Sequence, residues 1–458
     1  MRVRPLQDEL TALDREPLVG ASGVRVSARR AAAVDRALRA RFGPVPTLAL
    51  VAVGGYGRSE LAPGSDLDLL VLHHPGEHAR AEESFGPILY DLWDLGLTVG
   101  HAVRTPEECR DEAEQRFESL TTVLDARLVA GDSTLVREAL AAVRDLVRND
   151  PARLLDELRA SMVQREARFG SLGESPQPDL RDSVGGLRDV QGFGWLARGL
   201  GVDPVDRGWV RPGEAESVGS AWEFLLRTRT ALHRLVGRRS DVLMAEHHDP
   251  VAASLGVGGQ PAPSPVVWEP RDVFMRRLFL HGRAVRAAAE EALGRAAADL
   301  EDRPQHTVAV GWRPDPLEGV MAAFGRLAAE GGSLDPQDLE RVEGSEWPVA
   351  SWTSSVREAF IRVLSGGEGG ARALGTMDRT GVLEGLLPEW DAVRGRPQRD
   401  PFHRFPADTH LIRAAAQLAR LLFRPDEPAT AASVAAIADP APLLIAALLH
   451  DIGKVGAG

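Results

Sequence analysis

The chain has 458 residues, 44% hydrophobic and 26% charged, the balance of an ordinary globular protein with room for two to four domains. Its 66 acids against 54 Lys and Arg give a net charge of −12, which excludes a protein that coats nucleic acid. One cysteine, Cys109, excludes a disulfide framework, and the absence of a signal-like N-terminus or of any roughly 20-residue apolar run points to a cytoplasmic protein with no membrane partner.

Helical spacing over residues 26–42 leads into TLALVAV at 47–53, a short apolar run typical of a buried strand. A glycine turn and a second strand, 66–72, follow; residues 82–95 predict a helix and 97–104 a third strand. Helical periodicity dominates from Thr105 to about Phe169. A Pro/Gly-punctuated connector occupies 171–192, helices resume at 218–239 and 271–298, and a second break lies at 301–316. Short helices follow, the last at 409–423 and 440–451. The fold class is α+β: a small mixed sheet, then mostly helical domains. The expected divisions are 1–150, 151–300 and 301–458.

The chemistry concentrates between Gly54 and Leu72. Gly54-Gly55 closes the first strand, and after ten intervening residues comes Asp66-Leu67-Asp68-Leu69. Alternate strand residues share a face, so Asp66 and Asp68 project together while Leu67 and Leu69 point into the core. Paired carboxylates can hold two Mg²⁺ ions about 3.5–4 Å apart, one at the attacking oxygen and one at the triphosphate. The glycines let backbone N–H groups approach phosphate without a Cβ in the way. Arg58 and Ser65 flank that cradle and can reach phosphate oxygens. The combination of glycine pair, spacer and DxD on a strand resembles the polymerase-beta-type nucleotidyltransferase superfamily. That superfamily uses a third carboxylate from a later strand, but the facing position here holds Thr98. Asp94 and Asp125 are the candidate substitutes for it, and each reads instead as a helix-surface charge.

Several further segments, in order, resemble the bacterial bifunctional PII uridylyltransferase/uridylyl-removing enzymes: LWDLGLTVGHAVRT, TTVLDARLVAGD, PDLRDSVGGLRDVQ, ALHRLVGRRSDVLM and DPFHRFPADTHLIRA. The resemblance implies transfer of UMP from UTP (ATP stays open) to a tyrosine of a PII signalling protein, with pyrophosphate released. Asp66 and Asp68 would bind Mg²⁺, and Gly54, Gly55, Arg58 and Ser65 would surround the nucleotide. Arg188 and Asp189 read as a helix-start ion pair with no chemical step. Adenylylation of PII, transfer to another acceptor, and a catalytically degenerate binding protein are the alternatives.

At the other end, AALLHDIGK and THLIRA resemble the HD phosphohydrolases. The resemblance implies a metal site of His410, His450 and Asp451 serving hydrolytic removal of the nucleotide. Seven residues follow Asp451 and none can coordinate a metal, so the expectation is an HD domain cut short, with the family's C-terminal ACT domains absent.

Overall fold

The computed structural model describes residues 3–43, 45–258, 260–261, 267–313, 315–347, 352–399, 404–424 and 434–453. It divides into two compact units. The first comprises Met1–Gly173, Gln177–Gly258 and Leu278–Arg303, and the second Glu174–Pro176, Gly259–Arg277 and Pro304–Gly458. The expected division 1–150 lies in the first unit together with most of 151–300, whose residues 174–176 and 259–277 belong to the second. Among the described residues no helix is long and apolar enough to cross a membrane.

The first unit opens with α1 (Val3–Asp14) and α2 (Gly23–Phe42), whose N-terminus is capped by the Ser22 hydroxyl accepting the Arg25 N–H. Strand β1 (Leu48–Ala52) follows, then a single helical turn, α3 (Gly54–Gly57), where the sequence suggested only a glycine turn. Next come β2 (Leu67–His73), α4 (His78–Asp94) and β3 (Val99–Arg104). Residues 105–169, where helical periodicity dominates the sequence, hold α5 (Pro106–Gln115), α6 (Phe117–Leu124), α7 (Ser133–Asn149) and α8 (Pro151–Phe169), but also a strand, β4 (Arg127–Gly131). Five residues are too few to break a helical pattern visibly; pairing with β1 decides their state.

The sheet order is β3-β2-β1-β4, with β1 antiparallel to both neighbours and β2 parallel to β3 across the α4 crossover. Both faces are covered. Leu48, Leu50, Leu67, Leu69 and Val71 pack with α1, α2 and α4 in one core. Ala49, Val51, Leu70 and Leu72 join residues of α5, α6, α7 and α8 in another. Leu67 and Leu69 are therefore buried as expected, while the face carrying Asp68 becomes core two residues further on. Helices α9 (Leu187–Leu200) and α10 (Pro212–Val236) complete the part of this unit that builds the cleft.

The second unit is helical around one apolar core that includes Phe324, Phe360, Met377 and Trp390. Its helix Ala407–Phe423 and the final helix Ala441–Leu449 contribute Leu411, Ala415, Leu444 and Leu448 to that core.

Candidate active site and metal centre

The sequence GGYGRSE folds as it does because three of its side chains are tied down beneath the sheet end. Tyr56 is fully buried, and its hydroxyl donates to Asp35 at 2.6 Å. Arg127 of β4 donates to both oxygens of that same carboxylate. Burial and the Asp35 charge push the Tyr56 phenol far above its usual range, so it stays a neutral donor. Gly57 must be glycine: a Cβ there would lie 2.2 Å from the Asp125 carbonyl oxygen. Arg58 is then pinned, donating to Glu60 at 2.8 Å and to Asp125. Glu60 also accepts from Gln191 and from the Trp222 indole, each at 3.0 Å.

Asp66 immediately precedes β2 and Asp68 is its second residue. Two glycines make room for Asp68. A Cβ on Gly54, whose φ is +56°, would sit 3.2 Å from one carboxylate oxygen, and a Cβ on Gly100 would sit 2.6 Å from the other. Gly100 is the β3 residue paired with Asp68, and the Thr98 carbonyl accepts the Leu67 N–H beside Asp66. Burial, then the adjacent Asp66 charge, push Asp68 above the usual carboxylate range, while Arg181, Arg239 and Arg58 pull it down. A pair of like charges in a cradle this bare suits a divalent cation; the donor set and the space around Asp68 fit one.

Asp66 is engaged by Arg239, 173 residues away in sequence. The loop between the glycines and the aspartates is clamped from that same direction. The Gly64 N–H donates to His233 Nδ1, and a Cβ on Gly64 would be 2.3 Å from the Arg239 backbone nitrogen. With Nδ1 accepting, His233 carries its proton on Nε2 and donates it to Asp241 at 3.3 Å. Arg229 also holds Asp241, at 2.6 Å, and donates to the Ser65 hydroxyl at 3.2 Å.

Ser65, Asp66, Asp68, Arg229 and Arg239 line one cleft of roughly 500 Å³. Its lining includes every transferase residue expected from sequence: Gly54, Gly55, Arg58, Ser65, Asp66 and Asp68. Two expectations change. Arg58, read as a phosphate contact, has its guanidinium committed to Glu60 and Asp125. Asp125, read as a surface charge, is 5% exposed and also accepts from Trp195 and Arg198. Asp125 is thus an internal anchor for two arginines. Arg181, Arg188 and Arg239 line the cleft too. Spacing could not have found them, because each lies more than 100 residues from the DxD; the only signal was that they fall in the PDLRDSVGGLRD and ALHRLVGRRSD segments.

In the second unit, the His410 and His450 Nε2 atoms are 3.2 Å apart, and Asp451 lies 3.6 Å from His450. The three residues offer ligand atoms all within 4.8 Å of one another, a set suited to a transition metal. Asp408 sits apart in role: buried, its carboxylate accepts the Gly395 and Thr409 N–H groups. Residues 454–458, on which the expectation of a shortened site partly rests, lie outside the described residues.

Residues 34–123 match the model of the nucleotidyltransferase domain, and residues 153–293 match that of the GlnD PII-uridylyltransferases. Curated relatives named bifunctional uridylyltransferase/uridylyl-removing enzyme include that of Streptomyces coelicolor, 33% identical over 89% of this chain and 49% of the relative. Those of Mycobacterium tuberculosis and Thiobacillus denitrificans are 31% and 32% identical, over 92% and 93% of this chain and 52% and 53% of theirs. The chain spans about half the length of the curated relatives it matches. With an Asp66/Asp68 pair in a glycine cradle and these matches running through both units, the chain carries a nucleotidyltransferase domain and is similar along most of its length to the bifunctional uridylyltransferase/uridylyl-removing enzymes.

Proposed function

We propose that this chain transfers a nucleoside monophosphate, UMP from UTP, to a tyrosine hydroxyl of a PII signalling protein. The tyrosine oxygen forms the new bond to the α-phosphorus, the bond from that phosphorus to the bridging oxygen breaks, pyrophosphate leaves, and the hydroxyl proton passes to solvent. The observation that carries the reading is the Asp66/Asp68 pair in its glycine cradle, in a chain whose residues 153–293 match the PII-uridylyltransferase model. Asp66 and Asp68 would hold Mg²⁺, which supplies charge neutralisation at the triphosphate and at the attacking oxygen. Gly54 and Gly55 leave the backbone open to phosphate, and the Arg58–Glu60–Asp125 network keeps the cleft floor rigid. A cytoplasmic setting suits both UTP and a PII partner.

Incubating the protein with PII, Mg²⁺ and each labelled nucleoside triphosphate tests this. Label should pass to PII from UTP and be lost in Asp66→Asn/Asp68→Asn. Label from ATP alone would make the protein an adenylyltransferase, and no transfer from any nucleotide by folded protein would overturn the proposal.

A second reaction has its own observation, the convergence of His410, His450 and Asp451. These residues would hold a divalent ion, which would supply activation of water; in the hydrolysis the water oxygen bonds to phosphorus, the bond from phosphorus to the tyrosine oxygen breaks, and UMP and the free tyrosine hydroxyl are released. Release of UMP from uridylylated PII, abolished by His450→Ala, is the expected result; unchanged release would assign the hydrolysis elsewhere.

A further inference from the structure

The connector segment contains the triplet Leu-Arg-Asp twice, at 180–182 and 187–189. The fold lays the two copies side by side: the Leu187 N–H donates to the Leu180 carbonyl and the Arg188 N–H to the Arg181 carbonyl. Both leucines are buried, at 0% and 2% exposure, which turns the arginines together into the transferase cleft. The turn between the copies is constrained to glycine. Gly185 has φ +87°, and a Cβ there would meet the Gly282 carbonyl oxygen at 2.2 Å. Asp179 completes the loop by accepting the Arg181 and Asp182 N–H groups.

The two aspartates are spent unequally. Asp189 accepts the Gly185 N–H and pairs with Arg165. Asp182 alone is left for both arginines, 3.8 Å from Arg181 and 3.6 Å from Arg188. Arg168, also on this wall, lies over the Phe169 ring. Arg181 and Arg188 therefore share one carboxylate at more than hydrogen-bonding distance, and Arg188 donates besides to the neutral Gln191 amide oxygen at 3.3 Å. Arg188 also sits in the first turn of α9, where the helix dipole disfavours a cation. Burial, then the Arg181 charge, push its pKa down to about 10. Such an arrangement is costly by itself and becomes favourable when an anion with several oxygens enters.

We infer that the paired arginines 181 and 188, with Arg168, bind the β- and γ-phosphates of the nucleotide whose α-phosphate reacts beside Asp66 and Asp68. This rests on the nucleotidyl-transfer reading. Metal-bound polyphosphate carries both charges, and the cleft offers both walls: carboxylates for the cation, guanidiniums for the oxygens.

Calorimetric titration of the whole chain in Mg²⁺ with UTP, UMP and inorganic tripolyphosphate tests the wall. Arg181→Gln and Arg188→Gln should each weaken UTP and tripolyphosphate about tenfold, and the pair about a hundredfold, leaving UMP unchanged. Arg188→Lys should recover part of the loss, and thermal melting checks that the variants fold. Unchanged UTP affinity in the double variant, or an equal loss for UMP, overturns the inference. If the wild type binds tripolyphosphate through these arginines but no nucleotide, the wall stands and the transfer reading fails. If it binds neither, the wall fails.

Discussion

Gly100→Ala separates catalytic geometry from stability more cleanly than a substitution of the aspartates themselves. Residue 100 is on β3 directly beside Asp68, and the new Cβ would be 2.6 Å from a carboxylate oxygen. Ordinary contact begins near 3.4 Å, so the oxygen must retreat by about 0.8 Å. A carboxylate at the end of a side chain can make that movement, and the backbone of a strand accepts alanine, so the stability cost stays within about 1 kcal/mol. The reacting geometry is less tolerant: two metal ions must stand about 3.5–4 Å apart, and misplacement of about 1 Å costs on the order of a hundredfold in rate. The expected outcome is a protein with nearly unchanged melting temperature whose transfer of UMP to PII falls about a hundredfold. Gly100→Ser should behave alike. Wild-type transfer rates in Gly100→Ala would refute the argument that Asp68 must occupy its present position.

The internal anchor at Asp125 gives a stability prediction of opposite kind. Asp125→Ala leaves Arg58 and Arg198 without their shared carboxylate, at a cost of about 3–5 kcal/mol, read as a large drop in denaturant midpoint; a change under about 1 kcal/mol would show that the network contributes little. His233 is buried and neutral, its folded pKa held below the unfolded value chiefly by burial, so its contribution to stability is intact above about pH 6.5 and declines as pH falls below it. Asp241 is held below its usual range, against its burial, by the His233 hydrogen bond and the Arg229 charge, and it adds a further loss only below about pH 4. Denaturation midpoints from pH 8 to 5 should therefore fall, and His233→Gln should flatten that slope; an unaltered slope refutes the assignment. Cys109 is buried, and burial pushes its thiol up to about 12, so the folded protein should resist iodoacetamide at pH 8 and react only on unfolding.

Much of the transferase site was legible because its parts are local. A two-residue alternation puts Asp66 and Asp68 on one face whatever packs around them, and a glycine pair after an apolar run marks a close backbone approach. The α+β class and the helix-rich second half followed from periodicities that also need no distant partner. The His410–His450–Asp451 cluster needed the resemblance, since the residues are separated by 40 positions and a His-Asp dipeptide alone specifies nothing.

Tertiary structure decided how each charge is used. Arg58 and Asp125 are 67 residues apart, Arg239 and Asp66 are 173 apart, and no spacing rule connects either pair. A charged residue in a sequence carries no mark of burial, so Asp125 read as a surface group and Arg58 as a free phosphate contact until the packing of α6, α9 and the β1–β2 loop enclosed them together. The two Leu-Arg-Asp copies were plain in the text of the chain, yet only the backbone bonds between them bring two guanidiniums to one carboxylate. The sequence by itself determined that Asp66 and Asp68 share a face and that a glycine pair precedes them; the fold determined which arginines are neutralised by buried acids and which line the cleft beside a single shared carboxylate. The physical reason is that periodicity reports the faces of one element, whereas the balance of charge in a cleft is summed over elements that meet only after folding.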